Sequence, residues 1–163
     1  MVTLGGLTAF AMSLEQDIRQ TTFRSEFHKA LLNLIYTHNV LINSSAEFFK
    51  SYGITRQQYN VLRILRGQHP SGATIQMIRE RMLDKMSDAS RIVERLRAKQ
   101  LATRQPNTED RRTVKITITD EGQALLESME SRIDDLEKGL RNLTEDEARQ
   151  LNSLLDRIRQ NIT

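Results

Sequence analysis

The chain has 163 residues, 38% hydrophobic and 28% charged, a polar balance that suits a helical protein with long solvated faces and still allows one real core. It contains no cysteine, which excludes disulfides, thiolate metal sites, cysteine nucleophiles and thiol-based redox sensing. Net charge is only +3, but residues 74–115 hold eleven Lys/Arg against six Asp/Glu, leaving thirteen against fifteen elsewhere; this basic segment points to a polyanion-binding surface, with an ordinary solvated helix face as the plainer alternative.

The mildly apolar stretch Leu7 to Leu14 has no basic residue before it and is followed by Glu15 and Asp17, so it does not read as a signal peptide. Residues 1–22 are expected to form an N-terminal tail, flexible or used as an extra dimer contact. No run approaches the roughly 18 apolar residues of a membrane span, and the expected location is cytoplasmic.

From Phe27 to Phe48, positions Phe27, Leu31, Leu34, His38, Leu41, Ser45 and Phe48 recur in steps of four and three, the mark of one long helix. Ile35, Ile42 and Phe49 add a second stripe, so one face can pack on its own domain and the other on a partner. Gly53 is the expected stop. Thr55 with Gln58 forms a capping box that opens a second helix, with Tyr59, Leu62 and Leu65 inward.

Gly67, Pro70, Ser71 and Gly72 make a loop. Thr74 caps a third helix through Ile75, Ile78 and Met82, and a fourth, capped by Asp84 or Ser87, runs to about Lys99 with Ala89, Ile92, Val93 and Leu96 buried. The period then changes to alternation over 101–105 and 113–119, with Val114, Ile116 and Ile118 on one face, and the turn at Pro106 to Thr108 makes the pair a hairpin. A fifth helix from Thr119 or Asp120 is expected to turn Leu125, Met129, Ile133, Leu136 and Leu140 inward. Thr144 with Glu147 caps the last helix, whose stripe Ala148, Leu151, Leu155, Ile158 and Ile162 has no obvious partner within a small core. That surplus, with the spare face of the first helix, argues for pairing between two chains.

The fold class that follows is mainly α with a small β-hairpin wing: a winged helix-turn-helix within an α-helical dimerisation frame. Residues 54–119 form the DNA-binding lobe, and 23–53 with 120–163 the helical dimerisation region. The fourth helix is the expected major-groove reader. Its exposed positions are Ser87, Asp88, Ser90 and Arg91, with Arg95 one turn on. Serine and arginine there reach base edges and phosphates, whereas Asp88 repels phosphate unless it meets a cytosine amino group. The alternative is again a solvated helix face; Arg91 is the leading base reader.

The stretch from Arg91 to Gly122, RIVERLRAKQLATRQPNTEDRRTVKITITDEG, resembles the signature of the MarR (multiple antibiotic resistance regulator) family: the end of a recognition helix, a wing with an Asp-Arg-Arg tip and a Thr-x-x-Gly start to the next helix. Element order is similar over about residues 25–162. The resemblance implies a winged-helix homodimer on pseudopalindromic double-stranded DNA, often a repressor released by a small aromatic or phenolic compound. It departs at Gln100, where the family usually has glycine before the wing.

The tip also has a physical logic of its own. A hairpin fits a minor groove, whose negative potential attracts a guanidinium. By resemblance Arg112 is inserted and Asp110 orients it, with Arg111 beside them; the plain alternative is a charged turn that keeps the hairpin soluble. For an effector, His38 interrupts an apolar stripe and, with Leu41 and Leu62, marks the expected pocket, unless the ring simply satisfies itself in the core. His28, His38 and His69 have no metal-ligand spacing, so no metal or cofactor is expected. With no phosphate loop, catalytic triad or carboxylate pair, the chain does not read as an enzyme. The remaining alternative is a winged helix used for protein contacts without specific DNA binding; such an adaptor has no need of a basic wing.

Overall fold

The computed structural model describes residues 13–106 and 113–160. Contacts divide the chain into two units that meet between Ile42 and Asn43, inside one long helix.

In the first unit, within the segment read as a tail, α1 (Leu14–Asp17) is a single turn. Ser13 starts it with a capping box, its N–H donating to the Gln16 side chain at 3.0 Å. Glu15 pairs with Lys29, and that hydrogen bond lowers the Glu15 carboxyl to about 2. The helix α2 (Glu26–Ser51) begins here. Phe27 is 89% exposed, and Leu31, Leu34, Ile35 and Val40 are exposed after it.

The second unit holds the core. It begins with the last turns of α2, where Phe48 and Phe49 are buried with their rings edge to face at 5.3 Å. Gly53 stops the helix at φ +68°, a left-handed conformation that glycine adopts without steric cost. Thr55 and Gln58 form the expected reciprocal cap, at 2.9 and 3.1 Å, and α3 (Arg56–Arg66) follows with Val61, Leu62 and Leu65 completely buried. Burying each such leucine stabilises by about 1.5–3 kcal/mol. Thr74 caps α4 (Ile75–Arg81), which contributes Ile78, with Met82 buried just beyond it.

The helix α5 (Ala89–Ala98) buries Ala89, Ile92, Val93 and Leu96, the spacing read from sequence. Two strands follow, β1 (Ala102–Pro106) and β2 (Val114–Ile118), antiparallel with Ala102 opposite Ile118 and Pro106 opposite Val114. Ile116 and Ile118 face the core, and Ala73 adds a one-residue third edge by exchanging two backbone hydrogen bonds with Ile116.

The passage from α5 into the hairpin and out of it is built as one joint. Gln100 occupies a left-handed conformation at φ +61°. Its N–H donates to the Arg97 carbonyl and that of Leu101 to the Leu96 carbonyl, the paired bonds of a Schellman helix end. The missing glycine therefore leaves the geometry intact and adds strain. The helix α6 (Asp120–Glu130) starts at Thr119, whose hydroxyl donates to the Gln100 carbonyl at 2.7 Å and accepts from the Gly122 N–H at 3.1 Å. Gly122 lies so close that a Cβ would sit 2.3 Å from the Leu101 carbonyl oxygen.

The fifth helix ends earlier than its apolar pattern implies. After Glu130 come a short turn α7 (Asp134–Glu137) and a 3-10 turn at Leu140–Asn142, then α8 (Glu145–Gln160). Leu126 and Met129 are buried, Leu125, Ile133 and Leu136 are half-buried, and Leu140 is exposed rather than inward. With Leu136 packed only partly against the core, a stretch containing Ser131, Asp134, Asp135 and Gly139 has little intrinsic reason to stay helical. Thr144 and Glu147 form the expected capping box of α8, which buries no residue; Leu154 and Ile158 are exposed.

Candidate nucleic-acid interface

The approach to α5 is a turn held by one carboxylate. Asp84 accepts the Ser87 hydroxyl at 2.6 Å on one oxygen and the Met86 N–H at 3.1 Å on the other. These two bonds, the hydroxyl's first, hold the Asp84 carboxyl below the ordinary aspartate value. Upstream, the Leu83 N–H donates to the Asn60 side chain at 3.0 Å, and Lys85 donates to the Glu80 carbonyl.

The cap of α5 is Asp88, not Asp84 or Ser87. Its side chain accepts the Arg91 N–H at 3.2 Å. All three residues are good N-caps, and Asp84 and Ser87 are already consumed in the turn one step earlier. The Asp88 carboxylate also meets the Arg91 guanidinium at 3.4 Å. Since the Arg91 side chain is 81% exposed, this pair is weak, about 0–1 kcal/mol, and can yield to a nucleobase or phosphate.

Asp88, Arg91 and Arg95 follow at i, i+3 and i+7 and share the exposed face opposite Ile92, Val93 and Leu96. Arg95 makes no ion pair among the described residues, while Arg97 and Arg104 are drawn to Glu94 at 2.7 and 3.9 Å. Ser90 is exposed on the first turn. A cleft of about 230 Å³ opens along the arginine face, with Thr55, Gln57 and Gln58 on one wall and Ser87, Arg91 and Arg95 on the other. Of the residues expected to read DNA, Ser87, Asp88, Arg91 and Arg95 are thus brought together along the cleft, and Ser90 lies outside its lining. The glutamine wall was not foreseen: Thr55 and Gln58 read only as a cap, and nothing linear sets them beside a helix thirty residues away.

Asp110, Arg111 and Arg112, the expected wing tip, lie outside the described residues; the strands that carry them, β1 and β2, are formed. Of the residues expected to receive an effector, His38 is exposed and Leu41 half-buried in the first unit, and Leu62 is completely buried in the second. Among the described residues no group of His, Cys, Asp and Glu could hold a metal ion, and no helix is long and apolar enough to cross a membrane.

A profile described as MarR family matches residues 52–113, from the end of α2 into the wing. A MarR transcription factor from Planctomyces limnophilus, known from its crystal structure, is 32% identical; the match covers 83% of this chain and 98% of that one, with a TM-score of 0.64. The chain belongs to the MarR family. The transcriptional regulator PapX of Escherichia coli is 29% identical over 102 residues, 63% of this chain and 62% of its own length. A mutant MarR from E. coli, solved with operator DNA, has the same fold at a TM-score of 0.73, with 23% identity over 85% of this chain and 99% of that one. MarR-family architecture thus accounts for the order of helices and the winged hairpin: α4 and α5 are its helix-turn-helix, and β1 and β2 its wing.

Proposed function

We propose that this chain is a sequence-specific DNA-binding transcription regulator, a cytoplasmic, non-catalytic homodimer that represses from a pseudopalindromic operator. The observation that carries the reading is the exposed face of α5, where Arg91 and Arg95 line an open cleft at the leading end of the second helix of a helix-turn-helix. Arginine pairs bidentately with guanine in the major groove, and helices of a two-fold dimer enter successive grooves roughly 34–36 Å apart. In this division of labour residues 54–119 read DNA, while 23–53 and 120–163 join the two copies. The exposed stripe of α2 and the face of α8 with Leu151 and Leu155 half-buried and Leu154 and Ile158 exposed are the surfaces that a second copy would cover.

The test is fluorescence anisotropy against duplexes selected from a random pool, at roughly 50 and 200 mM salt. A DNA reader enriches a site and loses affinity steeply with salt; a protein-contact module enriches none. Arg112→Ala should weaken operator binding by about 1–3 kcal/mol with the fold unchanged. Unaltered affinity in that variant would remove the wing from the interface.

A small aromatic or phenolic effector is the second part of the proposal, resting on family likeness and on the exposed ring of His38. A ligand releases DNA only through its differential affinity for the two states. His38→Ala should therefore need more of an aromatic acid to release DNA while binding the operator as before. Identical release curves would exclude His38 from the site.

A further inference from the structure

We infer that Met86 is a specificity-determining residue, packing its side chain on the 5-methyl group of a thymine at the edge of the half-site that α5 reads. The inference rests on the proposed DNA-reading function and adds to it a base class and a residue.

Met86 is 94% exposed, and Leu83, three residues before it, is 77% exposed. A single exposed apolar side chain is ordinary on a protein surface. The backbone that carries this one is held in place. The Asp84 carboxylate accepts the Met86 N–H and the Ser87 hydroxyl, Leu83 is tied to Asn60, and Lys85 closes on the Glu80 carbonyl. The turn is fixed on both sides of a side chain that it sends into solvent.

Its position matters equally. Met86 stands two residues before the cap Asp88, at the leading end of α5, and the N-terminal end of a recognition helix is the part that meets base edges. Its neighbours already use polar groups within the protein: the Ser87 hydroxyl donates to Asp84 and the Asp88 carboxylate accepts the Arg91 N–H. Exposed cations Arg79, Arg81, Lys85 and Arg91 flank the turn in sequence, outnumbering the exposed acids Glu80 and Asp88, and suit a polyanion better than an apolar protein surface. Within a major groove the partner for an apolar side chain is the thymine methyl, and an unbranched thioether adapts readily to it.

The experiment takes the duplex enriched by the wild-type chain and replaces each thymine in turn by deoxyuridine, which removes only the methyl group. The wild type should lose about fourfold in affinity at each thymine of one symmetry-related pair, the value of one buried methyl-sized group. Met86→Ala should bind the thymine and uracil forms of that position equally, while Met86→Leu keeps a preference. Circular dichroism confirms that each variant is folded. If Met86→Ala retains the wild-type thymine-to-uracil ratio at every position, or no position is uracil-sensitive, the inference is overturned and the regulator reading stands. If no site is enriched at all, both fall together.

Discussion

The winged lobe and the last helix carry apolar patterns of the same regularity and treat them in opposite ways. In α3, Val61, Leu62 and Leu65 lose all contact with solvent, closed over by residues of α5, β2 and α6. In α8 no residue is buried, and Leu154 and Ile158 stand 52% and 45% exposed. The 26-residue α2 shows both behaviours, burying Phe48 and Phe49 near its end and exposing Phe27 and Leu31 near its start. A hydrophobic stripe states what a helix needs covered; whether the same chain supplies the cover is a separate matter, and for these stripes the proposed second copy supplies it.

Deleting residues 144–163 would break the comparison most completely. The intact chain should sediment as a dimer at micromolar concentration and the shortened one as a monomer, with the lobe still unfolding cooperatively. A wild-type monomer in the same run would leave the exposed stripes without an explanation. Point changes sharpen the contrast at smaller cost. Leu65→Ala should destabilise the lobe by about 2–5 kcal/mol, since it opens a cavity in a closed core. For Ile158→Ala the loss should instead depend on protein concentration, because stability that comes from association follows mass action. Thermal melts at two concentrations separate these behaviours, and a concentration-independent loss in Ile158→Ala would place that side chain in an intrachain contact.

The smallest effects concern the joint between α5, the wing and α6. Gly122→Ala should cost about 1–3 kcal/mol, because the new methyl has backbone on one side and Ile118 on the other. Gln100→Gly should stabilise by about 1 kcal/mol by relieving a left-handed residue. Denaturant titration measures both, and no gain in Gln100→Gly would mean that its side chain offsets the strain.

What was legible in the sequence was local. Thr55 with Gln58, Thr74, and Thr144 with Glu147 cap the helices assigned to them, because cap and backbone lie within one turn. The alternation of Ile116 and Ile118 and the burial of Ile92, Val93 and Leu96 were equally readable. Where several residues compete for one role, the sequence gives no ranking: Asp84, Ser87 and Asp88 all suit a cap, and the choice of Asp88 follows from the turn engaging the other two. The break after Glu130 was hidden for a different reason. Periodicity at Ile133, Leu136 and Leu140 records apolar need, while the core covers Leu136 only partly and leaves Leu140 exposed. At the interface, the arginine face of α5 could be foreseen from spacing alone, and the wall of glutamines facing it could not.

Gly122 and Thr119 have a mechanical consequence. One hydroxyl bridges the end of α5 to the start of α6, and a backbone-to-backbone approach with no room for a methyl group lies beside it. Such a joint has no slack. A displacement of α6 at this end must therefore carry Leu101 and the root of β1 with it.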